Sequence, residues 1–170
     1  RGAIAAVSTA TGNTHTMFNN IIAMGIYDGL FPKNLGTAGA ALANGKLTLF
    51  SAYPTNPYHW VDAFTQWNSL MGDPATHLWT DTPTVLSVIH PLVLSFGTNF
   101  VDIGVYDQDE NPVEDAMITL LMGDDIIFTS GYTDEEGSLT MNLDYISNGT
   151  ISITVTKQNC KPYENTIILH

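Results

Sequence analysis

The sequence predicts an α+β chain in two parts: a partial α/β segment over residues 1–80 and a seven-stranded β-sandwich over residues 81–170. Apolar residues recur at helical spacing in the first part, whereas the second contains short runs that alternate apolar and polar residues. The charge changes at the same point, because fourteen of the 17 acidic residues and only two of the five Lys and Arg lie after Thr80. Thr80–Pro83 is the predicted joint, since the residue before a proline avoids helical conformation.

The composition excludes several classes of function. A net charge of −12 in 170 residues excludes ordinary nucleic-acid binding, which requires a basic surface that displaces counterions. No run of about 18 apolar residues occurs, so no membrane-spanning helix is expected. A hydrophobic fraction of 44% argues against intrinsic disorder. The single cysteine excludes an internal disulfide.

The first predicted element is a strand. Residues 2–8 form an apolar run without alternation, which is typical of a strand buried on both faces in a parallel sheet. Parallel strands need neighbours that are reached through long crossover connections. One such strand cannot form a sheet, so we expect an upstream segment or another molecule to complete it.

The first helix is predicted from the apolar residues between Met17 and Met24, which recur at helical spacing. Thr14 or Thr16 is the expected N-cap, because a threonine oxygen accepts from the first free N–H groups of a helix. Asp28–Gly29 marks the expected exit.

Two further helices are predicted in the first part. One covers Leu35–Leu42 and ends near Asn44–Gly45, after which Lys46–Phe50 fits either a strand or an extension of the helix. The other covers Tyr58–Leu70, where the large apolar residues again follow helical spacing.

Two segments of this first part resemble the end of the catalytic domain of the gingipain-type cysteine peptidase family. They are Gly2–Thr9 and Asn68–Ala75, and Gly36–Lys46 between them is similar to a helix of that family. The second segment contains the family motif Met71, Gly72, Asp73 and Pro74, for which a structural role is expected. The resemblance extends in order along the whole chain and implies a caspase-like segment followed by an immunoglobulin-like domain.

The resemblance also implies where the catalytic residues lie. In the family, the catalytic His and Cys both precede the strand that matches residues 2–8. No residue of this chain occupies either position, so no catalytic residue is expected in it. A cysteine peptidase needs a thiolate beside a general base, and Cys160, the one thiol here, lies in the other predicted domain.

The second part contains seven short apolar runs separated by turn signals, a pattern that indicates a β-sandwich. Its segments 107–120 and 133–139 are similar to secreted immunoglobulin-like and carboxypeptidase-regulatory-like modules. The runs are 85–89, 100–105, 116–121, 126–129, 139–143, 151–156 and 166–169.

Several side chains in the chain are candidates for chemistry, and a structural role is favoured for each. Cys160 is expected to be an inert packing residue, although Lys157 and Lys161 beside it are of the kind that activate a thiol. The five histidines show no ligand spacing, so no transition-metal site is expected. The tryptophans and tyrosines of residues 53–79 are expected in a core rather than a sugar-binding surface.

Two acidic clusters raise the possibility of calcium. They comprise Asp107, Asp109, Glu110, Glu114 and Asp115, and Asp124, Asp125, Asp134, Glu135 and Glu136. Calcium prefers several oxygen ligands, but Pro112 stands where an EF-hand loop needs glycine. The favoured interpretation is that these residues form solvated turns whose charges prevent association of sheet edges between molecules. No cofactor is expected.

Three functions remain compatible with the sequence. The favoured one is a non-catalytic bacterial subunit, secreted or on the cell surface, that assembles with itself, and even into a filament, by adding its first strand to a neighbour. The alternative is the C-terminal part of an active secreted gingipain-type endopeptidase whose catalytic residues lie upstream. The third is an adhesion module. The assembly strand consists of Ala3, Ile4, Ala5, Ala6 and Val7.

Overall fold

A computed structural model describes residues 3–12, 14–95, 97–123, 127–143 and 148–170. The chain folds into two compact units, Arg1–Thr80 and Asp81–His170. The first unit contains three α-helices and two strands, whereas the described part of the second contains strands alone as regular elements. The structure is therefore a mixed α+β chain. None of the described helices combines the length and the apolar character that crossing a bilayer requires.

Helix α1 covers Thr16–Leu30 and is capped by a histidine. Nδ1 of His15 accepts a hydrogen bond from the backbone N–H of Met17 at 3.3 Å. The predicted threonine caps are therefore wrong: Thr16 is the first helical residue, and an imidazole nitrogen takes the place of a hydroxyl oxygen at the N-cap.

Helix α2 covers Ala38–Ala52, so it runs through Asn44–Gly45, where the sequence predicted its end. Residues 46–50 extend this helix instead of forming a strand. Gly45 is needed for close packing: a Cβ there would lie 2.6 Å from the carbonyl oxygen of Ile22 on α1. A Cβ on Gly25 of α1 would lie 2.8 Å from the Cα of Gly45, so the two helices cross at these glycines.

Helix α3 covers Trp60–Trp67 and follows a short 3₁₀ turn, Pro57–His59. The predicted helix over 58–70 is too long, because its last residues belong to strand β2, Asn68–Met71. Strand β1, Ala6–Thr9, pairs with β2 in antiparallel orientation, with Ala6 opposite Met71. The three helices enclose a small core of Phe18, Ile22, Leu42, Leu49, Val61 and Phe64.

The first strand differs from its prediction in three respects. It starts at Ala6 rather than Gly2, which lies outside the described residues, and its partner is antiparallel. Ala6, Val7 and Ser8 are exposed instead of buried on both faces. The physical reason is that the only neighbour of β1 in the described chain is β2, so one edge of β1 stays open.

The second unit contains two larger sheets and one short strand pair. The sheets have the orders β5-β12-β10-β7-β8 and β4-β6-β9, and β3 pairs with β11. The strands are β3 (Thr84–Val85), β4 (Ser87–Ile89), β5 (Val93–Leu94), β6 (Phe100–Tyr106), β7 (Met117–Met122), β8 (Ile127–Tyr132), β9 (Ser138–Asn142), β10 (Gly149–Thr156), β11 (Cys160–Lys161) and β12 (Tyr163–Leu169).

One hydrophobic core is shared by the two larger sheets. Alternate residues of each long strand point into it, for example Val101, Ile103 and Val105 of β6. Each of the seven predicted runs contains a strand, but the count of seven is too low for the described residues. Run 85–89 is divided at the buried Leu86, and the two-residue strands β5 and β11 are too short to show an alternating pattern. Ile126 of the fourth run lies outside the described residues.

Candidate functional site

The candidate site is the surface formed by the open edge of β1 and the neighbouring face of α1, here called the β1–α1 groove. In the part of the chain that the structure describes, β2 pairs with one edge of β1 and no strand pairs with the other. A two-stranded sheet is marginal by itself, and an open edge presents unpaired N–H and C=O groups to a further strand.

The groove is mainly apolar. It has a volume of about 550 Å³ and lies between β1 and α1, with Val7, Ile26, Tyr27 and Leu30 among its lining residues. The Tyr27 ring also stacks on that of Phe31, with 6.3 Å between the ring centroids, and both side chains are exposed. Exposed apolar side chains grouped beside an open strand edge are a feature of interaction sites.

A polar network closes one end of the groove. Nδ2 of the buried Asn68 donates to the carbonyl oxygen of Phe64 at 2.9 Å and to Oδ1 of Asn19 at 3.1 Å. The Thr9 hydroxyl lies 3.5 Å from the Oδ1 atoms of both asparagines. This network joins β1, α1 and β2. Sequence reasoning missed it, because a single asparagine in a helix gives no signal.

The predicted assembly strand lies at this site. Ala6 and Val7 belong to β1 and pair within the chain with Met71 and Leu70, so only their outer edge is open. Ile4, which is 79% exposed, precedes the strand. Ala3 and Ala5 also precede it and are not part of a described strand. Of the predicted assembly strand, therefore, only Ala6 and Val7 lie on the open edge.

Gly72 of the motif at 71–74 makes a close contact with the segment before β1. Its φ is +135°, and a Cβ there would lie 2.8 Å from the carbonyl oxygen of Ile4. Only glycine avoids both the strain and the clash. Oδ1 of Asp73 accepts from the backbone N–H of Ala75 at 2.9 Å, so this side chain holds the turn that follows β2, in keeping with the structural role expected of the motif.

Pro74 of the same motif meets the start of α2. Its carbonyl oxygen accepts from the N–H of Gly39 at 2.9 Å, and that of Thr76 accepts from Ala38 at 3.0 Å. These N–H groups lie in the first turn of the helix, where no helical partner exists. The motif thus joins the end of β2 to α2. Met71, its first residue and the last residue of β2, is 68% exposed.

Among the described contacts of Cys160 and of the histidines, none joins the thiol to an imidazole. The half-buried Cys160 has its Sγ 3.4 Å from the hydroxyl of Thr84, and Nε2 of His90 lies 3.0 Å from the hydroxyl of Tyr163. Nδ1 of His59 lies 3.6 Å from Asp62. Within the described residues, no group of three or more His, Cys, Asp and Glu side chains is placed to hold a metal ion.

The aromatic side chains of the first unit divide between core and surface. Trp60 and Trp67 pack on Phe64, and Tyr53 packs on Phe18. Tyr58 and Trp79 are exposed.

The acidic turns use carboxylates to hold their own backbone. Oδ1 of Asp107 accepts from the N–H groups of Asp109 (2.8 Å) and Asn111 (2.9 Å). Oδ1 of Asp134 does the same for Glu136 and Ser138. Asp124 and Asp125 of the second predicted cluster lie outside the described residues. The favoured interpretation, solvated turns without a cofactor, stays a prediction, and Asp107 and Asp134 already have hydrogen-bond donors within their own turns.

We expect the hydrogen bonds to Asp107 to lower the pKa of its carboxyl group. The side-chain amide of Asn111, and then its backbone N–H, hold the pKa of Asp107 below its ordinary value of 3.8. A lowered folded-state pKa stabilises the fold above the ordinary value, and this contribution is lost as the pH falls through the folded pKa. Carboxyl NMR titration should show an upward pKa shift in Asn111→Ala. An unchanged pKa would contradict the assignment.

Solved structures of cysteine peptidases share this architecture. The crystal structure of the Arg-specific cysteine proteinase gingipain R superposes with a TM-score of 0.81 at 16% identity, over 99% of this chain and 38% of that chain. The fold is gingipain-like. The complex of the Porphyromonas gingivalis RgpB pro- and mature domains agrees, with a TM-score of 0.79 at 18% identity over 99% of this chain. No family model matches the sequence, and no curated protein matches it.

The gingipain-like fold confirms the predicted resemblance at the level of architecture. A third structure, described as a protease, superposes with a TM-score of 0.77 and 16% identity. This chain spans about two fifths of the length of these proteins, since it covers 38% to 40% of them. Identities of 16% to 18% establish a shared fold and leave activity to be tested.

Proposed function

We propose that this chain is a non-catalytic portion of a gingipain-type cysteine endopeptidase, and that the catalytic His and Cys reside on a further polypeptide segment that completes the sheet at β1. The observation that carries the proposal is the open edge of β1 beside an apolar groove, in a fold that spans about two fifths of gingipain R. A strand added at this edge would satisfy the free N–H and C=O groups of β1 and cover Val7.

Each part of the chain has a role under this proposal. The β1–α1 groove receives the segment that carries the nucleophile, and the network of Thr9, Asn19 and Asn68 fixes the polar part of its lining. Such rigidity favours catalysis, because a thiolate and its base must be held in a fixed geometry. The second unit would be the immunoglobulin-like domain that follows the catalytic domain. The proposal also places the protein outside a bacterial cell.

Self-assembly is the second candidate, and the same open edge favours it. A second copy of the chain, rather than an upstream segment, would then add a strand beside Ala3–Val7. Because β1 already pairs with β2 along one edge, a neighbouring copy has access to the other edge only. Ile4, which precedes β1 in the sequence, is exposed and available for contact. A head-to-tail contact of this kind does not close and would form filaments.

One experiment separates the two candidates. The chain is produced alone and together with a polypeptide that carries the remaining part of a gingipain-type catalytic domain. Both samples are assayed on arginyl peptide substrates and viewed by negative-stain electron microscopy. We expect a stoichiometric complex with endopeptidase activity that iodoacetamide abolishes, and dispersed particles for the chain alone. Regular filaments of the chain alone would favour self-assembly, and a lack of both complex and activity would contradict the peptidase proposal.

A charge placed at the open edge should interfere with either partner. Val7→Glu puts a carboxylate into the apolar lining of the groove beside the open edge, so we expect at least a tenfold loss of complex, measured by sedimentation. Val85→Glu is the matched control, because Val85 is an exposed valine in the second unit. Equal behaviour of the two variants would show that the β1 edge is not the contact.

A further inference from the structure

The outer face of the β4-β6-β9 sheet carries a second groove, separate from the β1–α1 groove. It has a volume of about 410 Å³, and its lining includes Ile89, Asp102, Gly104, Tyr106 and Thr140. Strand pairing explains its shape. Gly104 lies opposite Ile89 on β4 and Ser138 on β9, so the middle of the sheet has no side chain at this row.

Tyr106 and Asp102 stand at the two ends of this gap. A Cβ on Gly104 would lie 3.0 Å from Cε2 and 3.3 Å from the hydroxyl of Tyr106, so the ring leans along the strand over the glycine. Asp102 precedes Gly104 by two residues on the same face of β6, which corresponds to about 7 Å along the strand. The Tyr106 ring therefore covers the row at Gly104, and the ring and the Asp102 carboxylate both line the groove.

Asp102 is fixed in position but not neutralised. Its Oδ1 accepts a hydrogen bond from the Thr140 hydroxyl at 2.6 Å. Among the described residues of the second unit, no Lys, Arg or His forms an ion pair with any carboxylate. Both lysines of this unit lie outside the groove lining, and Nζ of Lys157 donates to the carbonyl oxygen of Glu114.

The surroundings of the groove carry negative charge. The turn 107–111 continues β6 directly after Tyr106, and the turn 134–137 leads into β9. The two turns are neighbours, because the N–H of Val105 donates to the carbonyl oxygen of Gly137 at 2.8 Å. The unit as a whole holds fourteen acids and two bases, a distribution that attracts cationic partners and repels a second copy of itself.

We propose that this groove binds an arginine side chain of an extended basic polypeptide. A guanidinium group is planar, stacks on aromatic rings and pairs with a carboxylate through two parallel hydrogen bonds. Tyr106 and Asp102 supply both partners, and Ile89 contacts the aliphatic stem. A lysine ammonium fits less well, because it is a point charge with no planar face.

The test is an NMR titration of the full chain with three short peptides that differ only in a central Arg, Lys or Gln. We expect shift changes at residues 87–89, 102–106 and 138–140, with the Arg peptide binding at least fivefold more tightly than the Lys peptide and the Gln peptide not binding. Equal binding of all three peptides, or shifts spread over the whole unit, would overturn the proposal.

Matched variants separate a specific contact from general charge attraction. Asp102→Asn keeps the acceptor for Thr140 and should weaken Arg-peptide binding at least tenfold, and Tyr106→Leu should abolish the preference for Arg over Lys. Glu164→Gln removes the same charge from an exposed position on β12 of the other sheet and should change binding less than twofold. A Glu164→Gln effect as large as that of Asp102→Asn would show that the attraction is diffuse.

Discussion

Phe64→Ala is expected to unfold the first unit, with a loss of about 3–5 kcal/mol in its free energy of unfolding. Phe64 is 0% exposed and lies at the centre of the small core of this unit. Its ring centroid is 5.0 Å from that of Phe18, 5.3 Å from Trp67 and 6.0 Å from Trp60. Removal of the ring therefore leaves a cavity between helices α1 and α3 that the remaining side chains cannot fill.

Tryptophan fluorescence during urea unfolding measures this effect in one unit only. All three tryptophans of the chain precede Thr80, so their emission follows the first unit, while amide exchange at Ile153 follows the second. Phe31→Ala is the control, because Phe31 is 58% exposed and a surface truncation should cost less than about 1 kcal/mol. Similar losses for both variants would contradict the assignment of this core.

Helix α2 shows where local sequence signals lose to packing. Asn44–Gly45 has the composition of a helix end, and a local pattern contains nothing that distinguishes it from one. The glycine is required instead by α1, whose backbone at Ile22 leaves no space for a Cβ on residue 45. The cause lies about twenty residues away, so it became visible only in the folded chain.

Strand pairing was hidden for a similar reason. The apolar character of residues 2–8 correctly predicted a strand, but its partner β2 was assigned to the end of a helix. The helical spacing of large apolar residues continues up to the start of β2, through Trp60, Val61, Phe64 and Trp67. Antiparallel pairing between Ala6 and Met71 joins residues far apart in the sequence, and periodicity carries no information about such partners.

The candidate site was predictable in part. The apolar strand and the motif at 71–74 were recognised from the sequence; the strand carries the open edge, and the motif contacts the segment before β1 from the paired side. The asparagine network was not recognised, because Asn19 and Asn68 resemble solvent-exposed helical residues until β1 meets α1. The alternation in the second part was easier to interpret, since each long strand there has one face in the core and one in solvent.

The open edge and the charge distribution support a common view of the chain. The first unit holds three acids and three bases and exposes apolar side chains beside β1, as a surface that is covered in an assembly would. The second unit holds the whole net charge of −12 around its own closed core. Association through a covered apolar surface is therefore expected of the first unit, while the second unit presents a charged surface that attracts cationic partners.

Gly137→Val is expected to destabilise the second unit by about 3 kcal/mol or more. Gly137 has a φ of +71°, and a Cβ there would lie 2.5 Å from the carbonyl oxygen of Val105 and 2.9 Å from the backbone nitrogen of Val113. Both neighbours are backbone atoms, one in β6 and one in the segment between β6 and β7, so they cannot move aside as a flexible side chain does. The carbonyl oxygen of Gly137 also accepts from Val105, and the clash would break this bond.

Three alanine variants separate the two causes of this loss, with calorimetry as the measurement. Gly123→Ala introduces neither strain nor contact and should change stability by less than about 0.5 kcal/mol. Gly97 has a φ of +90°, and an added Cβ there would lie in open space. Gly97→Ala should therefore show backbone strain alone and lower the free energy of unfolding by about 1 kcal/mol. Gly137→Ala should exceed Gly97→Ala, because it adds the backbone clash to the strain. Equal losses at 97 and 137 would show that the turn at 134–137 moves away from β6 without cost.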